Sequence, residues 1–400
     1  MTEFLDELQS LLDGDKNIEA ITAIDESPSD PKDIVPTGLL PLDVTLGGGI
    51  YRGRIYEVYG PESNGKSTLV DSICAAWHAH NPKALVYRVE SESTMDKVRC
   101  TNIGMDLHRV ALFETDILEE GFEQIKLFQD KIYNKFGADV PVLIVWDTIT
   151  AAAPKNEIEG DVYGAGRQET PRLLTRELRK LNHVCAQYGH SAILIQQVRQ
   201  GGTDRYGNII WTTNGGQAFK HFCSARLEVK RKAPIFDPHP VNPAAPEAIG
   251  SDVEISLRKN KITGSEGSCL CRMYKLDGFN KLETNAMFAT TKGACEPYIQ
   301  VAGAGWISLF DHQMNLYKKV QGANKLGELL KSDPYFAKLV EYAAYKVKSD
   351  SHEIFAAKYK YKLDELKSQL DELFNNKTSD NTVLTNEESE NSVKEETSGE

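Results

Sequence analysis

The chain has 400 residues, 40% of them hydrophobic and 8% aromatic, and a net charge of −12. No apolar run reaches the length of a membrane span, and the acidic start (residues 1–10) does not read as a signal peptide. The acidity counts against a nucleic-acid partner only at the ends: residues 1–33 carry ten acidic and two basic side chains, residues 379–400 carry seven acidic side chains and Lys394, and the stretch between is near neutral at +2.

In chain order, Phe4, Leu5, Leu8, Leu11 and Leu12 fall at helical spacing, and a turn-rich stretch with Pro28 and Pro31 closes this first element. From Ile55 onward short apolar runs alternate with longer helical patterns. Strands are predicted at Ile55–Tyr59, Ala84–Val89, Val110–Phe113, Val142–Trp146, Ser191–Gln196 and Arg226–Lys230. Helices are predicted at Lys66–His80, Leu118–Phe136 and Glu169–Tyr188. That rhythm implies a mainly parallel sheet covered by helices on both faces. Residues 233–246 hold five prolines and are predicted to be an exposed loop. After about residue 284 the pattern turns mostly helical (Lys325–Lys331, Tyr335–Lys348, Glu353–Phe374), and the last two dozen residues are expected to be disordered. The seven cysteines include no CxxC pair. Cys269 and Cys271 form a CxC that reads as two thiols on one strand face rather than a metal site, and the cysteine usage points to a reducing, cytoplasmic setting.

The strand at Ile55 runs into Gly60-Pro61-Glu62-Ser63-Asn64-Gly65-Lys66-Ser67-Thr68, which satisfies G-x-x-x-x-G-K-[ST] between a strand and a helix. The glycines let backbone N–H groups turn inward around phosphate oxygens, and the helix N-terminus adds its dipole. Lys66 would reach the outer phosphates and the Ser67 hydroxyl would ligate Mg²⁺, making ATP and Mg²⁺ the expected ligands. The apolar run Val142–Trp146 ends in Asp147, placed at the sheet's C-terminal edge to hold the same ion. A water-orienting carboxylate is sought at the end of the next strand, where Glu90 and Glu92 are two apart; spacing alone does not choose between them.

The stretch from Val35 to Gly49, the run Gly53–Ser63, the segment Pro154-Lys155-Asn156-Glu157-Ile158-Glu159-Gly160 and the run Lys259-Asn260-Lys261-Ile262 resemble RecA-type DNA recombinases, in RecA order over residues 35–331. The resemblance implies an α/β fold: a RecA-type P-loop ATPase core at 34–283, a short N-terminal oligomerisation arm at 1–33, a small mainly α C-terminal lobe at 284–376 and an acidic tail at 377–400. It selects Glu92 as the catalytic carboxylate, since Glu92 precedes Asp96 by four residues and Ile103-Gly104-Met105-Asp106 follows at matching distance. Asp96 would then lie near the adenine, and Arg99 would stand where RecA has an aromatic on the base. Gln197 resembles the family glutamine that senses the γ-phosphate. Lys259 and Lys261 would complete a neighbouring subunit's ATP site, and the segment Ile18–Ile24 would pack on the adjacent subunit.

The same resemblance implies two DNA-binding loops, at about 160–168 and 199–214. Arg167 belongs to the first, with Arg172 and Arg179 on the helix behind it. Arg199, Arg205, Tyr206, Trp211 and Lys220 belong to the second, which Gly201, Gly202 and Gly207 would leave mobile; cations there meet phosphates and aromatics meet bases. The family's second DNA site is weakened by Glu254 and Ser256, with Lys230, Arg231 and Arg258 as nearby substitutes. The expected work is filament formation on single-stranded DNA, pairing with homologous duplex and ATP hydrolysis, with single-strand-binding and mediator proteins as partners and no membrane. The alternatives are a hexameric RecA-fold helicase or translocase, which the Glu157–Gly160 and Lys259–Lys261 runs oppose, and an ATP-modulated protein that coats single strands.

Overall fold

The computed structural model describes residues 34–92, 95–159, 169–203, 205, 209–213, 217–240, 244–351, 356–357 and 359–375. The predicted N-terminal helix, the Ile18–Ile24 segment, the whole first loop at 160–168 with Arg167, Tyr206 and the acidic tail lie outside them.

Alternating apolar and helical runs fold as that alternation requires. In order the core contains β1 (Ile34–Val35), α1 (Leu40–Leu46), β2 (Ile50–Tyr51), β3 (Ile55–Gly60), α2 (Lys66–His80), β4 (Leu85–Glu90), α3 (Lys97–Ile103), β5 (Val110–Glu114), α4 (Leu118–Phe136), β6 (Val142–Asp147), α5 (Lys155–Glu159) and α6 (Glu169–Tyr188). It continues with β7 (Ser191–Thr203), β8 (Ile209–Thr213), α7 (Gln217–Phe222), β9 (Ala225–Phe236), β10 (Ala248–Asn260), β11 (Gly267–Tyr274) and β12 (Gly278–Phe279). The sheet order is β12-β11-β10-β9-β3-β7-β6-β4-β5, with β8 on β7. Pairings from β9 through β5 are parallel, and β10, β11 and β12 extend the sheet antiparallel.

Both faces are buried, which explains why the parallel strands read as continuous apolar runs. One face packs Leu69, Ile73 and Trp77 of α2 against Val58, Val86 and Ile195; the other packs Phe122 of α4 and Leu178 of α6 against Ile144, Trp146 and Leu194. Trp146 also donates from Nε1 to Ser91 Oγ at 2.9 Å, tying the strand that ends in Asp147 to the segment after β4. A buried tryptophan removes about 150–250 Å² from water, a contribution of several kcal/mol at roughly 25 cal/mol per Å².

Two segments differ from expectation. The run from residue 233 does not begin as a loop: β9 continues to Phe236 against β10, and Pro234 is accommodated opposite Ser251, beside a register shift. Beyond Glu228, β9 pairs with β10 alone, so a residue without an N–H is tolerated there. The second loop is a hairpin rather than a loose glycine-rich segment. β7 runs on to Thr203 and pairs with β8, and Gly201 and Gly202 sit at the register shift between Gln200 and Thr203.

The C-terminal lobe is largely helical, with α8 (Lys281–Ala289), α9 (Ala323–Ser332), α10 (Pro334–Asp350) and α11 (359–375). It also holds an antiparallel sheet that sequence reading did not find: β13 (Ile299–Val301), β14 (Trp306–Phe310) and β15 (Leu316–Gln321). Its separate core includes Leu326, Phe336, Leu339 and Leu370, and Tyr359 Oη donates to Val44 O at 3.0 Å to join lobe and core.

Candidate functional site

The phosphate loop turns between β3 and α2 through backbone that glycine alone takes easily. Gly65 has φ +92°, and a Cβ on Gly60 would lie 2.2 Å from Val229 O of β9. No side chain caps α2, which leaves its first-turn N–H groups available to an anion. Lys66 is buried and donates from Nζ to Pro61 O at 2.7 Å, and burial lowers its pKa from the ordinary lysine value. A cavity of about 290 Å³ opens here, lined by Ser63–Thr68, Arg88, Arg99, Asp147, Arg231 and Met273–Lys275. Its size, its uncapped helix and its lysine fit a nucleoside phosphate.

Asp147 ends β6 as predicted. It is 4% exposed, hydrogen-bonds with Ser67 and accepts from Arg88 Nη2 at 2.8 Å on Oδ2. Burial raises its pKa above the usual aspartate range, against the opposing pull of Arg88. Among the described residues no group of three His, Cys, Asp or Glu side chains could hold an ion alone. An ion at Ser67 and Asp147 would therefore draw further oxygens from a bound phosphate, which is how Mg²⁺ is commonly held.

The two candidate carboxylates part company. β4 ends at Glu90, whose side chain is buried and ion-paired with Arg88 of its own strand. Glu92 stands past the strand end at the solvent edge and accepts a 2.7 Å bond from Gln197 Nε2. Loss of hydration raises the Glu92 pKa, with the Asp147 charge adding to the effect and Lys66 opposing it. The structure thus brings Lys66, Ser67, Asp147, Glu92 and Gln197 together. Asp96 caps α3 by accepting from Arg99 N at 3.0 Å, and Arg99 reaches Asp71 Oδ2 at 3.2 Å from the cavity wall. Glu62 is exposed, and Asn64 Oδ1 accepts from Arg231 N at 2.6 Å, binding the loop to β9.

Lys259 and Lys261 are not part of this cluster. Lys259 pairs with Arg226, opposite Glu57 near the start of β3, and Lys261 N bonds Ser224 O, whose residue bonds Ile55 O. Gly60 lies three residues beyond Glu57 and five beyond Ile55, about 10 and about 17 Å along the strand at ~3.3 Å per residue. The Lys259 ammonium contacts Lys220 O, and Lys261 Nζ donates to His221 O at 2.5 Å. Burial and then the Lys261 charge push the Lys259 pKa down to about 8.

Of the predicted DNA residues, Arg172 and Arg179 are exposed on α6, Arg205 is exposed and Lys220 is exposed on α7. Arg199 lies on β7 and Trp211 on β8, in paired positions of the hairpin. The substitutes suggested for a second DNA site, Lys230, Arg231 and Arg258, have partners within the chain, as does neighbouring Lys232. Lys230 and Arg258 both pair with Glu228 at 2.7 and 2.6 Å, Lys232 pairs with Glu254 at 3.0 Å, and Arg231 lines the phosphate cavity.

Sequence reading missed Arg88, Asp71, Tyr274 and Lys275. An arginine inside the apolar run Leu85–Val89 was a legible signal; Tyr274 and Lys275 reach the cavity only because β11 folds back antiparallel, which no local pattern announces.

Comparison with known proteins points to one family. A family model described as the RecA N-terminal domain matches residues 8–269. Protein RecA of Thermus aquaticus is 32% identical over 316 residues, covering 79% of this chain and 85% of that protein. Protein RecA of Thermus thermophilus is 32% identical over 339 residues, covering 84% and 91%, and that of Methylococcus capsulatus is 34% identical over 231 residues, covering 58% and 62%. On the family match and these identities over most of both chains, the chain belongs to the RecA family of recombinases.

Proposed function

We propose that the protein is a DNA-dependent ATPase that assembles as a helical filament on single-stranded DNA, pairs that strand with homologous duplex and exchanges strands. Lys66 would neutralise phosphate charge, and Ser67 and Asp147 would hold Mg²⁺, which when bound supplies further charge neutralisation. Glu92 would orient the attacking water, and its raised pKa suits a group that must accept a proton. The hairpin of β7 and β8, with Arg199, Arg205 and Trp211, together with Arg172, Arg179 and Lys220, would meet DNA phosphates and bases.

The observation that carries the reading is the separation of two sets of groups across one sheet. The phosphate cavity lies at the C-terminal end of β3, and Lys259 and Lys261 lie near its N-terminal end. Within one chain they do not meet; stacked head to tail, the lysines of one copy would face the phosphates of the next. Head-to-tail stacking that does not close gives a filament, and stacking that closes gives a ring.

The test combines electron micrographs on single-stranded DNA, DNA-stimulated phosphate release and a strand-exchange assay with homologous duplex. Filaments, stimulation and exchange are expected. Closed rings would favour a helicase or translocase, and coating without stimulated phosphate release would favour a binding protein.

A further inference from the structure

β4 carries Val86, Tyr87 and Val89 into the two cores, yet Arg88 lies among them only 1% exposed. A buried guanidinium is costly unless its N–H groups find acceptors. Three carboxylates receive it. Nη1 donates to Asp71 Oδ1 at 2.5 Å, Nη2 donates to Asp147 Oδ2 at 2.8 Å, and Nε donates to Glu90. Asp71, on α2, is fully buried and also takes Arg99 on its other oxygen.

Two features separate this cluster from ordinary buried packing. Arg88 lines the phosphate cavity, and one of its partners is Asp147, which also bonds Ser67. The other two partners come from α2 and from the end of β4, so the guanidinium is fixed before it touches Asp147. Only a planar fork serves three acceptors in this way; a lysine ammonium is a point charge on a flexible stem.

We propose that Arg88 is a positioning residue for the metal carboxylate. Anchored on Asp71 and Glu90, it holds one oxygen of Asp147 and fixes that side chain beside Ser67, so that the carboxylate is oriented before a divalent ion arrives. Partners that orient a metal ligand typically contribute 10–100-fold to metal affinity. The inference rests on the nucleotide reading of the cavity and adds to it a residue that the phosphate motif does not contain.

The test measures binding of a fluorescent N-methylanthraniloyl ATP to the full-length protein, once in EDTA and once across a Mg²⁺ titration. Arg88→Lys keeps a cation, but its three N–H donors share one nitrogen and cannot span the carboxylates that Nε, Nη1 and Nη2 of Arg88 reach separately. It should raise the Mg²⁺ concentration for half-maximal tightening about tenfold, with affinity in EDTA changed less than about twofold. Glu90→Gln keeps the shape and an acceptor oxygen but removes the charge that strengthens this anchor, so it should shift the Mg²⁺ midpoint in the same direction by a smaller factor. Glu90→Gln carries the test if thermal melts show Arg88→Lys to be unfolded. An unchanged Mg²⁺ midpoint in a folded variant overturns the proposal. So does an equal loss with and without metal, which marks a merely structural role, and so does a lower midpoint, which marks Arg88 as a competitor of the ion. Wild-type protein that binds the nucleotide in neither condition sinks the nucleotide reading and this inference together, whereas tight wild-type binding with unchanged variants sinks the inference alone.

Discussion

Gln197 Nε2 donates a 2.7 Å hydrogen bond to Glu92 Oε1. Gln197 pairs with Gly60 at the end of β3, and one residue later β7 enters the hairpin with β8. One amide therefore touches the carboxylate beside the phosphate cavity and stands at the base of the strand pair assigned to DNA. A hydrogen bond of this length is lost with a shift of under 1 Å, so movement at the base of the hairpin would release Glu92.

Glu92→Gln should leave nucleotide binding and DNA filaments intact and slow turnover by about 10²–10⁴-fold, the usual contribution of a general base. Glu90→Gln should leave turnover at saturating Mg²⁺ much closer to wild type, since Glu90 is buried against Arg88. Steady-state phosphate release from both variants decides it; a dead Glu90→Gln beside an active Glu92→Gln would reverse the assignment. The raised Glu92 pKa also sets a sign: turnover should fall on acidification at a pH above the ordinary glutamate value of about 4.3.

Lys66→Ala should weaken nucleotide binding by roughly 10- to 100-fold, the cost of losing one hydrogen bond from a charged donor. Fold should survive, because Lys66 Nζ bonds only the carbonyl of Pro61 among the described contacts. Titration of a fluorescent nucleotide, with a thermal melt as control, checks both halves, and full-strength binding would show that the cavity is not a phosphate site.

How much of this was legible beforehand follows from how local each signal is. The phosphate loop, the strand ending in Asp147 and the three long core helices were readable because a strand, a turn and a helix are contiguous patterns in the chain. Spacing alone left Glu90 and Glu92 open, and only the family resemblance chose, because the difference depends on where β4 stops; Arg88 and the Asp147 pairing hold Glu90 in the sheet. The lobe sheet was missed because Trp306–Phe310 and Leu316–Gln321 are short and their alternation is weak. The hairpin was missed because glycines at 201 and 202 read as mobility, although they sit where the ladder shifts register.

His190 predicts the acid limb of stability. The side chain is fully buried, neither ring nitrogen has a hydrogen-bond partner among the described residues, and burial, aided by Arg52, holds its pKa down to about 4. Its unfolded value is near 6.5, so between pH 6.5 and about 4 the unfolded chain binds a proton that the folded chain does not. Stability should therefore be lost as pH falls through that window, by about 2 kcal/mol between pH 7 and pH 5 from this group. His190→Leu removes the titration, and urea unfolding at both pH values should show the variant losing correspondingly less than wild type; parallel losses would mean that the ring is protonated in the folded state.

Lys259 and Lys261 predict complementation between copies. Since Lys259 and Lys261 lie level with Glu57 and Ile55, about 10 and about 17 Å along β3 from Gly60, a protein carrying Lys259→Ala and Lys261→Ala should bind nucleotide alone but turn over little. A Glu92→Gln protein lacks the carboxylate but keeps both lysines. In a mixed assembly some interfaces join an intact Glu92 to intact lysines from the next copy, so activity should reappear, with its maximum near equal proportions. Burial and Lys261 hold the Lys259 pKa at about 8 in the single chain, and a neighbour's phosphates would raise it, so the recovered activity should persist to a pH above about 8 and fall only where Lys259 gives up its proton. Phosphate release on single-stranded DNA across mixing ratios and pH reads both effects. If electron micrographs show mixed filaments and no ratio restores activity, the lysines do not act across the interface, and their contacts with the Lys220 and His221 carbonyls would then mark them as part of the joint between β10 and α7.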